Sequence, residues 1–346
     1  MPVTLRDVAS RAGVSPVVVS RVLHDKALSI RVSEATAERV RQAADELGYR
    51  CNIFARNFRA QETMTIGVLH GVGTTRPRLD HGSRYFAALL DGLIEGAFRH
   101  GYSVTLCPKL LGQSPESAMS DGRFDGLVWY SSVSSDENLQ AIASCKVPLA
   151  LLHARSSEFG GRHASVICDN DQGVGLAIDH LVGLGHRKIA FAMDVHPINV
   201  ESLERFIAFK RHLERHGLFC DDESVIEVEW SREMIGEYLA SNRKHTAVLA
   251  NNEGLAAEFV HQAKKLGIQV PHDLSIVGFD STEFCEEVSP RLTAVSQPLN
   301  AMGAKAIDLL VDRLKGRPIE QNEFVFPCGL DVRDSTINLH KEVHVS

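Results

Sequence analysis

Over the first fifty positions apolar residues recur at three- and four-residue spacing, and from Thr65 onward short apolar runs alternate with longer amphipathic stretches. In the first region Leu5, Val8, Ala9 and Ala12 share one side of a helix that Gly13 can end through a positive φ. Ser15 then stands as a cap and Pro16 takes the first position of a second helix, where its missing N–H removes no hydrogen bond. Val18, Val19, Val22 and Leu23 give that helix its apolar side. A third helix starts after Ser33, carries Ala37, Val40, Ala44 and Leu47 inward, and stops at Gly48.

The later runs "TIGVL", "YSVTLC", "DGLVWY", "PLALLH", "ASVICD", "KIAFAM", "AVLANN" and "LSIVGFD" predict strands, separated by helical stretches such as "FAALLDGLIEGAFRHG" and "DQGVGLAIDHLVGLG". Wholly apolar strands alternating with helices indicate parallel sheets covered on both faces. The pattern is too long for one ordinary sheet, so two doubly wound subdomains are expected, with a ligand cleft where the carboxyl ends of their strands meet.

Two short helices joined by a Gly-containing turn fit a helix-turn-helix, whose second helix enters the major groove. Pro16, Val17, Ser20 and Arg21 then face outward, and Arg21 suits a guanine edge or a phosphate. A purely structural helical hairpin has the same pattern. Charge favours DNA: residues 1–60 hold ten Lys/Arg against six Asp/Glu, whereas the 346-residue chain as a whole carries −7.

The segments "TLRDVASRAGVSPVVVSRVL", "VSEATAERVRQAADELGYRCNIFARNFR", "TIGVL", "DN" at 169–170, "HLVGLGHRKIAF", "VLANNE" and "LSIVGFDS" together resemble the LacI/GalR family of transcription regulators, in order and spacing. The resemblance implies an all-α helix-turn-helix headpiece over 1–50 and a hinge over 51–62. An α/β periplasmic-binding-protein-like core of two doubly wound subdomains follows over 63–336, with a tail over 337–346. The expected division of the core is about 63–164 with 297–324, and about 165–296 with 325–336. It further implies a homodimer on pseudo-palindromic operator DNA, contacted by Thr4, Ser15, Pro16, Val17, Ser20 and Arg21. In the hinge, Asn52 would cap, Ala55 would sit at the helix contact, and Phe58 would be an apolar wedge in the minor groove. The plain alternative is that Phe58 docks the linker on the core. Cys51, Val17, Val18 and the long loop "HDKALSIR" depart from the family pattern, which leaves the operator sequence open.

For the core the resemblance implies effector contacts at strand ends. Asp280 and Asn251 end strands, Arg205 in "ESLERFIAFK" matches a ligand-binding Arg although Ala208 replaces a usual Gly, and "LLHAR" supplies His153 and Arg155. Tyr130 and Trp230 are aromatic candidates for stacking on a sugar ring. Plain roles stand beside these: helix caps for Asp280 and Asn251, a Glu201 partner for Arg205, and a core position for Trp230. Mixed carboxylate, amide, guanidinium and aromatic groups suit a sugar or sugar derivative.

Little supports an enzyme. Gly71 and Gly73 begin a G-x-G pattern that Arg76 and Pro77 break. Seven scattered cysteines form no C-x-x-C pair, no His spacing suggests a metal, and no cofactor is expected. With neither a signal peptide nor an apolar stretch of about 18 residues, the expected setting is cytoplasmic, without a membrane. The tail lacks leucine heptads, so no tetramerising coiled coil is expected.

Overall fold

The computed structural model describes residues 3–24, 32–50, 62–69, 84–106, 117, 119–130, 136–194, 200–228, 232–241 and 244–340. The chain divides into two compact units between Thr63 and Met64.

The first unit holds α1 (Leu5–Ala12), α2 (Pro16–His24) and α3 (Glu34–Glu46). Thr4 opens α1 with a capping box: its hydroxyl accepts from the Asp7 N–H, and its own N–H donates to the Asp7 carboxylate at 2.8 Å. Gly13, at φ +66°, closes α1 in the left-handed region as expected, and the chain turns at once into α2. Ser33 caps α3 by accepting from the Thr36 N–H. Val8, Ala9, Ala12, Val19, Val40, Ala43 and Ala44 form the small core, with Leu5, Val22, Leu23 and Leu47 packed around it.

The second unit contains two six-stranded sheets. The first runs β11–β5–β4–β3–β1–β2, entirely parallel, from β1 (Thr65–Leu69), β2 (Ser103–Leu106), β3 (Gly126–Tyr130), β4 (Leu149–Leu152), β5 (Ala164–Cys168) and β11 (Glu323–Phe326). The second runs β12–β10–β9–β8–β6–β7, from β6 (Ile189–Asp194), β7 (Val225–Val228), β8 (Ala247–Ala250), β9 (Ser275–Asp280), β10 (Thr293–Ser296) and β12 (Gly329–Asp331). Only β12 is antiparallel among these pairs, beside β10.

Helices cover the sheets: α4 (Arg84–Arg99), α5 (Asp136–Ser144) and α11 (Leu299–Leu314) belong to the first lobe. The second lobe has α6 (Asn170–Gly183), α7 (Val200–Arg215), α8 (Arg232–Ala240), α9 (Glu253–Lys265) and the short α10 (Phe284–Glu287). Helices α4 and α11 touch backbone to backbone, for a Cβ on Gly92 would lie 2.0 Å from the Asn300 carbonyl oxygen. One apolar cluster continues through both lobes, from Ile66 and Leu89 to Phe209 and Phe279.

Among the described residues the chain crosses between lobes three times: after β5, between β10 and α11, and between β11 and β12. This corrects two expected boundaries. Strand β5 pairs with β4 and β11 in the first sheet, so the first crossing follows Cys168 rather than 164. Strand β11 extends the same sheet through Phe326, so the third crossing follows 326 rather than 324.

Candidate functional site

In the three-helix unit, α2 buries Val19 completely while Pro16 and Val17 are exposed, and Ser20 and Arg21 are half-buried. Pro16 and Val17 therefore lie on the outer face where periodicity places them, while Ser20 and Arg21 are half-buried, as Val22 and Leu23 are. Two of the expected contact residues serve the local fold. The Thr4 hydroxyl is held in its capping box, donating to Asp7 Oδ2 at 2.7 Å, and Ser15 Oγ accepts from the Val18 N–H at 3.4 Å. Asn52, Ala55 and Phe58, with Cys51 and most of the "HDKALSIR" loop, lie outside the described residues, as does Trp230.

In the two-sheet unit the strand-end residues converge around Arg205. This side chain projects from α7, is 5% exposed, and lies with its guanidinium carbon 3.7 Å from the centre of the Phe279 ring. Its Nε donates to Asn170 Oδ1 at 2.9 Å, Nη1 donates to the Asn251 carbonyl at 2.6 Å, and Nη2 stands 3.6 Å from Asp280 Oδ1. Asp280 also accepts from Gln297 Nε2 at 2.7 Å. Burial pushes its carboxyl up to about 6 although Arg205 pulls the other way, and the nearby Glu253 and Glu201 charges reinforce the rise.

Neither strand-end polar residue is a helix cap. Asn252 caps α9 by accepting from the Leu255 N–H, and Glu283 precedes α10. Asn251 instead gives its amide N–H to Ser202 Oγ at 2.8 Å. Its Oδ1 and Gln297 Oε1 are buried without a hydrogen-bond partner, an unusual condition for interior acceptors. Asp280 at φ +100°, Ser281 at +47° and His153 at +63° adopt left-handed backbone that non-glycine residues avoid. Such strain persists where the surrounding structure enforces it, often at ligand sites.

His153 links the two lobes. Its Nδ1 lies 2.7 Å from Glu201 Oε1 on α7, and its Nε2 lies 2.7 Å from the Tyr85 hydroxyl on α4. The carboxylate can only accept, so it places a ring proton on Nδ1 and leaves Nε2 facing the Tyr85 hydroxyl. Tyr130 packs edge-on against His153 with ring centroids 5.7 Å apart, and burial pushes both tyrosine hydroxyls up, keeping them neutral.

Arg155 joins the Arg205 group through Glu204, whose Oε2 accepts from Asn170 Nδ2 at 2.8 Å. Arg155 Nε donates to Glu204 Oε1 at 2.7 Å and its Nη1 to Glu323 Oε1 at 2.8 Å, so it ties β4 to α7 and β11. Arg84 on α4 pairs with Glu287 on α10 at 2.6 Å, a third bridge between the lobes. A cavity of about 890 Å³ opens beside Asp280 and Gln297 and reaches Arg84, Asp91, Thr282 and Asn300, a size suited to a small organic ligand.

The structure thus brings Arg205, Asp280 and Asn251 together and sets His153 with Tyr130 at the same lobe junction. Sequence reasoning missed Asn170, Tyr85 and Gln297 as members, and named Glu201 only as a plain partner for Arg205, whereas its carboxylate meets His153. The "DN" at 169–170 and the one-turn spacing of Glu201 and Arg205 were available signals for Asn170 and Glu201. Tyr85 and Gln297 carry no signal, because their positions depend on how α4 and the second crossing fold back. Among the described residues there is no cluster of His, Cys, Asp and Glu able to hold a metal, and no helix is long and apolar enough to cross a membrane.

Residues 4–52 match the family model of bacterial regulatory proteins, lacI family, and residues 178–336 match that of the periplasmic binding protein-like domain. The HTH-type transcriptional repressor PurR of Vibrio atlanticus (strain LGP32) is 30% identical over 335 residues, covering 93% of this chain and 95% of that protein. The catabolite control protein A of Priestia megaterium is 29% identical over 344 residues, covering 97% and 100%. Among solved structures, the lac repressor dimer bound to operator and the anti-inducer ONPF aligns with a TM-score of 0.79 at 25% identity, covering 97% of this chain and all of that one. A LacI family transcriptional regulator from Enterococcus faecium with bound ribose aligns with a TM-score of 0.66 at 26% identity, covering 80% of this chain and 99% of that one. With a regulatory helix-turn-helix ahead of a two-lobed binding core, and with relatives that are transcription regulators rather than enzymes, this chain belongs to the LacI family of bacterial regulatory proteins.

Proposed function

We propose that this regulator is a repressor that binds a pseudo-palindromic operator as a homodimer and changes its grip when a neutral sugar or sugar derivative enters the core. One observation carries the ligand assignment. Around a buried Arg205–Asp280 pair, two buried acceptors, Asn251 Oδ1 and Gln297 Oε1, have no donor. A polyol supplies such donors, and its adjacent hydroxyls can accept from guanidinium and donate to carboxylate. The carboxylates of Glu201 and Glu204, held by His153 and by Asn170 beside this pair, oppose an anionic ligand. The ribose bound to the Enterococcus faecium regulator is consistent with this class. For the DNA side, the support is the exposed Pro16 and Val17 with half-buried Arg21 on the outer face of α2, and the operator bound by the lac repressor dimer.

Domain roles follow: residues 1–50 read DNA, 51–62 connect, and the core senses. Asn52, Ala55 and Phe58 are proposed as hinge contacts and Trp230 as a sugar-stacking residue. His153, Tyr130 and Arg155 contribute by holding the lobes together at the site. A thermal-shift screen of neutral sugars, polyols and sugar acids tests the ligand class, because a ligand favouring the native state raises its melting temperature. The expected result is a neutral sugar that stabilises the wild type and fails with Arg205→Ala. A screen in which only sugar acids or phosphates act would reject the class.

A further inference from the structure

Two of the three crossings carry a cysteine. Cys168 ends β5 at the first crossing, and Cys328 lies in the third, two residues beyond Phe326, which is the β11 partner of Cys168. The Asp169 N–H donates to the Phe326 carbonyl at 2.8 Å, keeping the two segments adjacent past the strand ends. The Cys328 N–H is fixed by Gln172 Oε1 at 2.8 Å, and its Sγ donates to the Asp169 carbonyl at 3.4 Å. Cys168 Sγ donates to Asn170 Oδ1 at 3.3 Å, beside the Asp169 carbonyl that Cys328 Sγ meets, so the two thiols flank the same pair of residues. Both are free and buried, Cys168 at 1% and Cys328 at 7% exposure. Of the other described cysteines, Cys145 contacts the Val147 carbonyl, Cys220 the Asp221 carbonyl and Cys285 the Glu253 carboxylate.

We propose that Cys168 and Cys328 are a reversible oxidation site, closed to a disulfide by peroxide, which staples the first and third crossings between the lobes. The Cys328 thiolate attacks one peroxide oxygen, the O–O bond breaks, and hydroxide leaves to take up a proton as water. The resulting Cys328 sulfenic acid is attacked by the Cys168 sulfur, an S–S bond forms, the S–O bond breaks, and a second water leaves. Two thiols lose two electrons in all, and one peroxide becomes two waters.

The order of attack follows from the surroundings. The neighbouring Cys168 thiol and the Arg205 guanidinium favour the Cys328 thiolate against burial, and the net effect lowers that thiol. The contact with Cys328 and then burial push the Cys168 thiol up, which suits the resolving partner. The bond would also reach the ligand group. Asn170 Oδ1 receives both the Cys168 thiol and Arg205 Nε while its Nδ2 donates to Glu204 Oε2 at 2.8 Å, so oxidation removes one of the three hydrogen bonds that orient this amide.

The test exposes the full-length protein to hydrogen peroxide until half-buried Cys220 is fully oxidised, then unfolds it, alkylates free thiols and maps the peptides. The expected product links the Cys168 and Cys328 peptides, with the mass of two hydrogens lost, and dithiothreitol restores both thiols. In Cys168→Ser and in Cys328→Ser the link is gone while Cys220 still oxidises. Full alkylation of both wild-type thiols at that dose would overturn the proposal. So would their capture only by other cysteines, or irreversible over-oxidation of Cys328 without a link. The wild-type map decides even if either serine variant folds poorly.

Discussion

Asp280→Asn separates the two opposing influences on the buried carboxyl. In the folded chain burial raises it from its ordinary 3.8 to about 6, with Arg205 opposing. A carboxyl raised in the folded state holds its proton more tightly there than in the unfolded chain. Its stabilising contribution is therefore complete below 3.8 and is lost as pH rises through about 6. At about 1.4 kcal/mol for each tenfold change in proton affinity, the interval amounts to about 3 kcal/mol. Asparagine imitates the neutral acid and can still accept from Gln297 Nε2, so the variant should avoid this loss. Urea unfolding of both proteins without ligand should give equal stability near pH 4. By pH 7.5 the variant should be more stable by about 3 kcal/mol. If instead the wild type gains on the variant as pH rises, attraction to Arg205 outweighs burial and the electrostatic account of this site is wrong.

On the DNA side, Arg21→Ala should abolish selection of a specific operator from a random duplex pool while leaving ligand-induced thermal shifts unchanged; an unaltered selected sequence would remove Arg21 from the interface. Thr4→Ala removes the α1 capping box and should lower headpiece stability by about 1 kcal/mol, read by hydrogen exchange of α1 amides. Gly92→Ala drives a Cβ against the Asn300 carbonyl, an atom that cannot rotate aside, and should reduce core stability by about 3 kcal/mol in urea melts, with a change under 1 kcal/mol contradicting the close helix contact. Glu201→Gln should keep the fold but weaken the lobe bridge through His153, so ligand affinity should fall severalfold with little change in unliganded melting temperature.

The strands that could be read from the sequence are those buried on both faces. "TIGVL", "ASVIC" and "SIVGFD" have nearly continuous apolar runs because helices cover both sides of each sheet. Strands β7, β11 and β12 stand at sheet edges, are only three or four residues long, and include Glu227, Glu323 and Asp331, so their runs are too short and polar to announce a strand. Strand β10 is internal, but "TAVS" is brief and ends in hydroxyl residues. The same limit explains the misplaced crossings, because only pairing with β4 and β11 assigns "ASVIC" to the first sheet. At the site, Asp280 and Asn251 were legible as polar residues ending apolar strands. The partners Tyr85 and Gln297 come from distant segments, and neither periodicity nor spacing encodes that meeting. Arg155 looked like a ligand contact, yet the carboxylates of Glu204 and Glu323, far from it in sequence, occupy its guanidinium.

The most direct test of coupling between core and headpiece is fluorescence-anisotropy titration of a selected operator duplex, with and without a saturating sugar identified by thermal shift, across a range of salt. Operator affinity should fall steeply with salt and change by about 5- to 150-fold when the sugar is added, the same factor appearing in sugar affinity when operator is present. Operator binding indifferent to a sugar that demonstrably stabilises the protein would contradict the claim that the cleft controls the DNA-binding heads.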